Sequence, residues 1–137
     1  MSDRALRIVV GVLATGGAAV AAYLTYARFT HSTLACSTGG CETVQSSSYA
    51  EVAGIPVAIL GLAAYVAILA TAFSTSELAR AAAAAVALAG VAFSAYLLYV
   101  QIALIDALCH WCLVSDMVQA LLATATVLRL GGRRVAL

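Results

Sequence analysis

Four long apolar runs, at about 8–27, 55–73, 81–105 and 109–128, decide what this chain can become. A bilayer core about 30 Å thick takes roughly 20 apolar residues in a helix, and each run is about that long. Lipid offers backbone N–H and C=O groups no partners, so such runs satisfy their own hydrogen bonds by coiling into helices. Of the 137 residues 64% are hydrophobic and only 9% are charged, with no lysine among them. A water-soluble domain of this size could not cover so much apolar surface. The expectation is an all-α membrane protein, a four-transmembrane-helix bundle forming one domain over residues 1–137. The first run follows Arg4 and Arg7 as a signal peptide would, but it continues past the small residues at 18–22 to Ala27, which favours a retained helix. Gly16, Gly17, Gly61, Gly90 and the run 81–85 of alanines supply the small side chains that let membrane helices approach closely.

The arginines orient the bundle. With a cytoplasmic N-terminus, Arg4, Arg7, Arg80, Arg129, Arg133 and Arg134 fall on the cytoplasmic side and only Arg28 on the other. Both termini are then cytoplasmic, with a plasma (inner) membrane as the expected location, and the 28–54 loop and the 106–108 turn are extracytoplasmic. Dispersed in this way, the arginines form no stripe for nucleic acid. All four cysteines follow the chain to the extracytoplasmic side.

The 28–54 loop is the one long connection and carries most of the polar residues, including Cys36, the tandem Gly39 and Gly40, and Cys41. A short surface helix is predicted over 46–53, with Gly54, Ile55 and Pro56 leading into the second span, where proline is tolerated in a first turn. The other pair, Cys109 and Cys112, stands in "CHWC" at the start of the fourth run. Three chemistries fit two cysteine pairs: a four-thiolate zinc site, two structural disulfides, or a thiol-exchange relay. Zinc does not account for a pair set at the head of an apolar helix, and a C-x-x-C bridge closes too short a loop to constrain the unfolded chain much. A relay uses each local detail. Residues three apart share a helical face, the N-terminal end of the helix dipole favours a thiolate, and the glycines beside Cys41 leave the loop pair free to move.

The electrons then need an acceptor. A thiol pair at the lipid boundary, with no signature for haem or flavin, points to a lipid-soluble quinone, and no metal is expected. Asp116, four residues after Cys112, and Gln119 extend the same stripe into the span. An ionisable group inside a span is a functional candidate, and its structural alternative is a contact with Ser94, Tyr96, Tyr99 or Gln101 on the third span. His110 stands between tuning the thiols and reaching the interface. Trp111 and the tyrosines at 23, 26, 65, 96 and 99 fit belt or packing roles.

These residues carry a resemblance. The loop pair, then "CETVQSSSYAEVAGIPVAILGLAAY", then "CHWC" on the last span resemble the vitamin K epoxide reductase family, and specifically its small prokaryotic members without a fused thioredoxin-like domain. The resemblance implies an extracytoplasmic loop capping a quinone pocket at the head of the bundle. It implies that Cys112 faces the quinone, that Cys109 exchanges with Cys41, and that Cys36 takes electrons from a soluble thioredoxin-like oxidase. Ser47 corresponds to a loop serine near the pocket. Val57 and Asp116 fall where vertebrate members hold the quinone oxygens with an asparagine and a tyrosine, and the loop pair is closer together than in many relatives. The implied activity is quinone-dependent thiol oxidation supporting disulfide formation in exported proteins, with a menaquinone, a ubiquinone or a vitamin K-type quinone as acceptor. The alternative class is a non-catalytic membrane module with structural disulfides or a four-cysteine metal site.

Overall fold

The computed structural model describes residues 2–30 and 40–136, with Cys41 and residues 42, 45 and 132–136 described by their backbone alone. Its first helix, α1, runs Asp3–Thr30. Ser2 caps it, its hydroxyl accepting the Ala5 N–H at 3.2 Å. At 1.5 Å per residue its 28 residues extend about 42 Å, more than the hydrocarbon core needs. Leu6, Val10, Ala14, Gly17, Ala21, Leu24 and Ala27 are its buried residues, three or four apart on one face. Ile8 and Val12 point outward and are well exposed, as lipid-facing side chains are.

The loop departs from expectation. Helix α2 spans Cys41–Ser46 and a single 3-10 turn spans Ser48–Ala50. The helix predicted over 46–53 is therefore absent: after the 3-10 turn the chain enters a hairpin in which β1, Glu51–Val52, pairs antiparallel with β2, Ile55–Pro56. Ala53 and Gly54 form its two-residue turn, and both have positive φ, 53° and 83°. Two consecutive left-handed residues match the twist of a tight hairpin and cannot continue a helix. An ion pair between Arg28 and Glu51 ties this hairpin to the end of α1.

Helix α3 is Val57–Ala72, so the second apolar run begins its helix two residues later than predicted, with Pro56 as the N-cap. Helix α4, Glu77–Tyr99, begins four residues before the predicted 81, because the Ser76 hydroxyl accepts the Ala79 N–H at 3.0 Å and caps the helix there. It passes into a π-helical segment, Val100–Ile105. Helix α5, His110–Ala136, starts one residue after Cys109 and outruns the predicted end at 128. Asp3–Thr30, Glu77–Ile105 and His110–Gly131 are long and apolar enough to cross a membrane, and α3 is a shorter apolar helix. The chain is an all-α membrane protein, with one small hairpin among the described residues.

Helices α1 and α4 each pack against both α3 and α5, closing a ring of four. Close van der Waals packing holds it, alanines fitting among larger aliphatic side chains: Val10 and Ala14 of α1, Ile68 of α3, Ala87 of α4 and Leu122 of α5 are fully buried together. Gly17 lies so close beneath the Tyr65 ring that a Cβ there would overlap it. At one end, buried Arg80 grips both oxygens of Asp3, at 3.0 and 3.3 Å. Buried Arg129 donates to the Ser74 carbonyl at 2.7 Å and Arg7 to the Ala72 carbonyl at 3.0 Å, satisfying acceptors where α3 ends. Cys109 and Cys112 stand at the opposite end, at the head of α5.

Candidate active site

The site begins where α4 changes pitch. In the π segment the Gln101 carbonyl accepts the N–H groups of both Asp106 and Ala107, and Asp106 turns left-handed with φ 55°. The chain reverses there and delivers Cys109 to the head of α5. The buried Gln101 side chain follows it across: its Oε1 accepts the Cys109 N–H at 2.8 Å.

Cys109 and Cys112, predicted to share one helical face, meet at the head of α5, with Cys109 in the cap position just before the helix begins. Cys109 is the residue before the first turn; its carbonyl accepts the Leu113 N–H at 3.0 Å and its Sγ accepts the Cys112 N–H at 3.3 Å. A sulfur thus stands where Ser, Thr, Asp or Asn usually satisfies an open N–H. That N–H and the positive end of the α5 dipole both favour negative charge on the sulfur. The two sulfur atoms are 2.6 Å apart. Cys109 is 0% exposed, packed among Leu24, Ala27, Val44 and Trp111, whereas Cys112 is only partly buried.

Cys112 opens on a cavity of about 120 Å³ enclosed by the four helices and the 44–50 segment. At roughly 10–15 Å³ per water it has room for about eight to twelve waters, the scale of a small ring system. From α5, Cys112, Ser115, Asp116 and Gln119 line it, so the predicted stripe does face one space. Ser47 and Val57 line it as well. The Ser47 hydroxyl donates to the Val44 carbonyl at 2.7 Å, closing the end of α2. Asp116 lies against Ser94, the first of its four expected neighbours, with its Oδ2 buried and unpaired. The Gln119 amide donates to the Ala87 carbonyl at 2.9 Å in space that Gly90 leaves by having no Cβ, so it serves as floor.

Of the other candidates, Cys36 lies outside the described residues, as does His31. The backbone of Cys41 begins α2, and Gly40 before it is pressed so closely on the backbone of Leu108 that a Cβ could not fit. Cys41 and Cys109 are therefore each one residue away from a point of contact. Trp111 packs on Tyr23 with ring centroids 5.2 Å apart, and His110 lies beside Trp111 with its Nδ1 buried and unpaired. Tyr26, Tyr96 and Tyr99 are exposed on the outside, where belt residues belong. Tyr65 is not among them: 2% exposed, it reaches across the bundle to the Ser115 carbonyl and hydroxyl at 3.0 and 2.8 Å. Sequence reasoning missed this role for Tyr65, and missed Gln101 as the residue holding Cys109. Each is a polar side chain in an apolar run, which needs a buried partner, and that was the signal available. Among the described residues no group of three or more His, Cys, Asp or Glu is arranged to hold a metal ion.

Adjacent thiols, one sealed in a helical core and the other facing a largely apolar cavity, are an arrangement that thiol–disulfide chemistry at a membrane can use. The sequence model of the vitamin K epoxide reductase family matches residues 8–127 of the 137. The chain belongs to that family, whose members are in general quinone-linked thiol oxidoreductases.

Proposed function

We propose that this protein passes electrons from a soluble thioredoxin-like partner through Cys36 and Cys41 to Cys109 and Cys112, and from there to a membrane quinone. Two thiols of the partner become a disulfide, and their two electrons and two protons reduce the quinone to a quinol. Each transfer between pairs proceeds by thiolate attack on a disulfide through a mixed disulfide. All four apolar helices span the bilayer with both termini cytoplasmic, so the cysteines face the compartment where exported proteins acquire disulfides. The 28–54 loop caps the quinone pocket, and Ser47, Val57 and Asp116 shape its walls.

The observation that carries this reading is the division of labour within the C-x-x-C pair. Cys112 lines the cavity, and Cys109 sits behind it with its sulfur 2.6 Å away. Exchange with the loop therefore falls to Cys109 and contact with the acceptor to Cys112.

The test is quinone reduction in liposomes, driven either by a reduced thioredoxin-like protein or by dithiothreitol. Cys112→Ala is expected to abolish reduction with both donors, and Cys36→Ala to lose the protein donor while keeping dithiothreitol. A Cys112→Ala protein as active as wild type removes the proposed path.

A further inference from the structure

Gln101 is 2% exposed and lies in the wall of the cavity, yet only half of its amide is accounted for. Its oxygen is taken by the Cys109 N–H at 2.8 Å. Its nitrogen donates to none of the described residues, although an amide NH2 offers two donors. That nitrogen is not one of the fully sealed polar atoms that lack a partner, so it keeps some access to the space beside it, and Gln101 borders the cavity, where an acceptor on a bound ligand would complete the amide. The residue also stands on a π-helical turn, a departure from α-helical pitch that is found disproportionately at functional sites. The same turn aims Tyr99 and Ile102 outward, both well exposed, and leaves Gln101 inside.

We propose that Gln101 couples the thiol pair to the electron acceptor: its amide oxygen holds Cys109 in the cap of α5, while its amide nitrogen donates to a carbonyl oxygen of the quinone. The inference rests on the quinone reading above and adds a residue to it. It makes Gln101 a quinone-binding residue and a positioning residue for Cys109. As the quinone oxygen gains negative charge the donated hydrogen bond strengthens. The amide itself exchanges neither electron nor proton: both electrons and both protons still come from the thiols. One rigid group thus fixes the spacing between the acceptor and the sulfur pair.

Trp111, the only tryptophan, reports quinone binding through its fluorescence without any turnover. The full chain in detergent is titrated with a short-chain ubiquinone analogue, and the pH profile of thiol alkylation is recorded alongside. Gln101→Met is expected to weaken quinone binding about tenfold, the loss of one buried hydrogen bond, and to move alkylation to higher pH as the Cys109 cap loosens. Gln101→Glu keeps an oxygen for the Cys109 N–H. It is expected to bind quinone at low pH, where its protonated carboxyl still donates, and to lose affinity as the carboxyl ionises. The wild type, titrated over the same range, gives the part that Asp116 and Cys112 contribute, and only a loss of affinity in Gln101→Glu beyond that part counts for the proposal. A purely structural Gln101 would lower thermal stability in both variants without moving the alkylation profile or giving Gln101→Glu its pH-dependent affinity, and that result overturns the proposal. Unchanged quinone affinity in Gln101→Met overturns it too, leaving the amide nitrogen to water from the shallow groove beside Gly40 and Thr43. A wild type that binds no quinone removes the functional reading and the donor half of this one, while the alkylation profile still decides whether Gln101 holds Cys109.

Discussion

Replacing Gly40 by alanine adds one carbon atom to the junction where the loop meets the thiol pair. The Gly40 backbone has φ −101° and ψ −1°, a conformation alanine adopts without strain, so the effect comes from contact alone. The added Cβ would overlap the Leu108 carbonyl oxygen and lie 2.8 Å from the Leu108 nitrogen and 3.1 Å from its carbonyl carbon. Ordinary contact begins near 3.4 Å, and these are backbone atoms fixed by the turn that delivers Cys109. The start of α2 must therefore retreat by roughly 1 Å, carrying Cys41 with it, at an overpacking cost of about 1–3 kcal/mol. A displacement of that size between reacting groups costs up to about 10²-fold in rate. The assay is quinone reduction with the two donors in parallel. Gly40→Ala should slow turnover with the thioredoxin-like protein by about ten- to a hundredfold and leave dithiothreitol-driven turnover, which can enter at the partly buried Cys112 directly, close to wild type. Equal loss with both donors, or no loss with either, would refute the idea that this contact sets the approach of the loop to Cys109.

Two further outcomes test the scaffold. Tyr65→Phe removes the hydroxyl's contacts with Ser115 and should destabilise the protein by about 1 kcal/mol in detergent unfolding, whereas unchanged stability would mean that this bond is idle. Asp3→Asn leaves Arg80 and Arg129 buried without their countercharge; because Asp3 is itself 43% exposed, the expected loss is about 1 kcal/mol. Arg80→Met should cost less in the Asp3→Asn background than in wild type, and strict additivity would show that the pair is not coupled.

Much of this was legible because a bilayer leaves an apolar run few choices. Length and hydropathy placed the four helices, although α1 begins earlier and α5 runs on further than predicted, and other errors fell where local chemistry outweighs hydropathy: Ser76 starts α4 early, and the left-handed Ala53 and Gly54 turn an expected helix into a hairpin. The period of 3.6 placed Cys112, Asp116 and Gln119 on one stripe, and all three line the cavity. Periodicity could not assign their work. Gln119, equivalent to Asp116 by spacing, spends its amide on the Ala87 carbonyl because Gly90, on another helix, leaves it room.

By itself the sequence determined the membrane environment, the helices and the thiol pair at the head of the last one, since each follows from composition or from spacing within one segment. Only the tertiary structure decided that Cys109 caps α5 while Cys112 faces the cavity, that Tyr65 reaches Ser115 across the bundle, and that Gln101 holds Cys109. Those partners are set by how helices distant in sequence come to rest against one another, and a buried hydrogen bond depends on a few tenths of an ångström in that packing, which no single segment encodes.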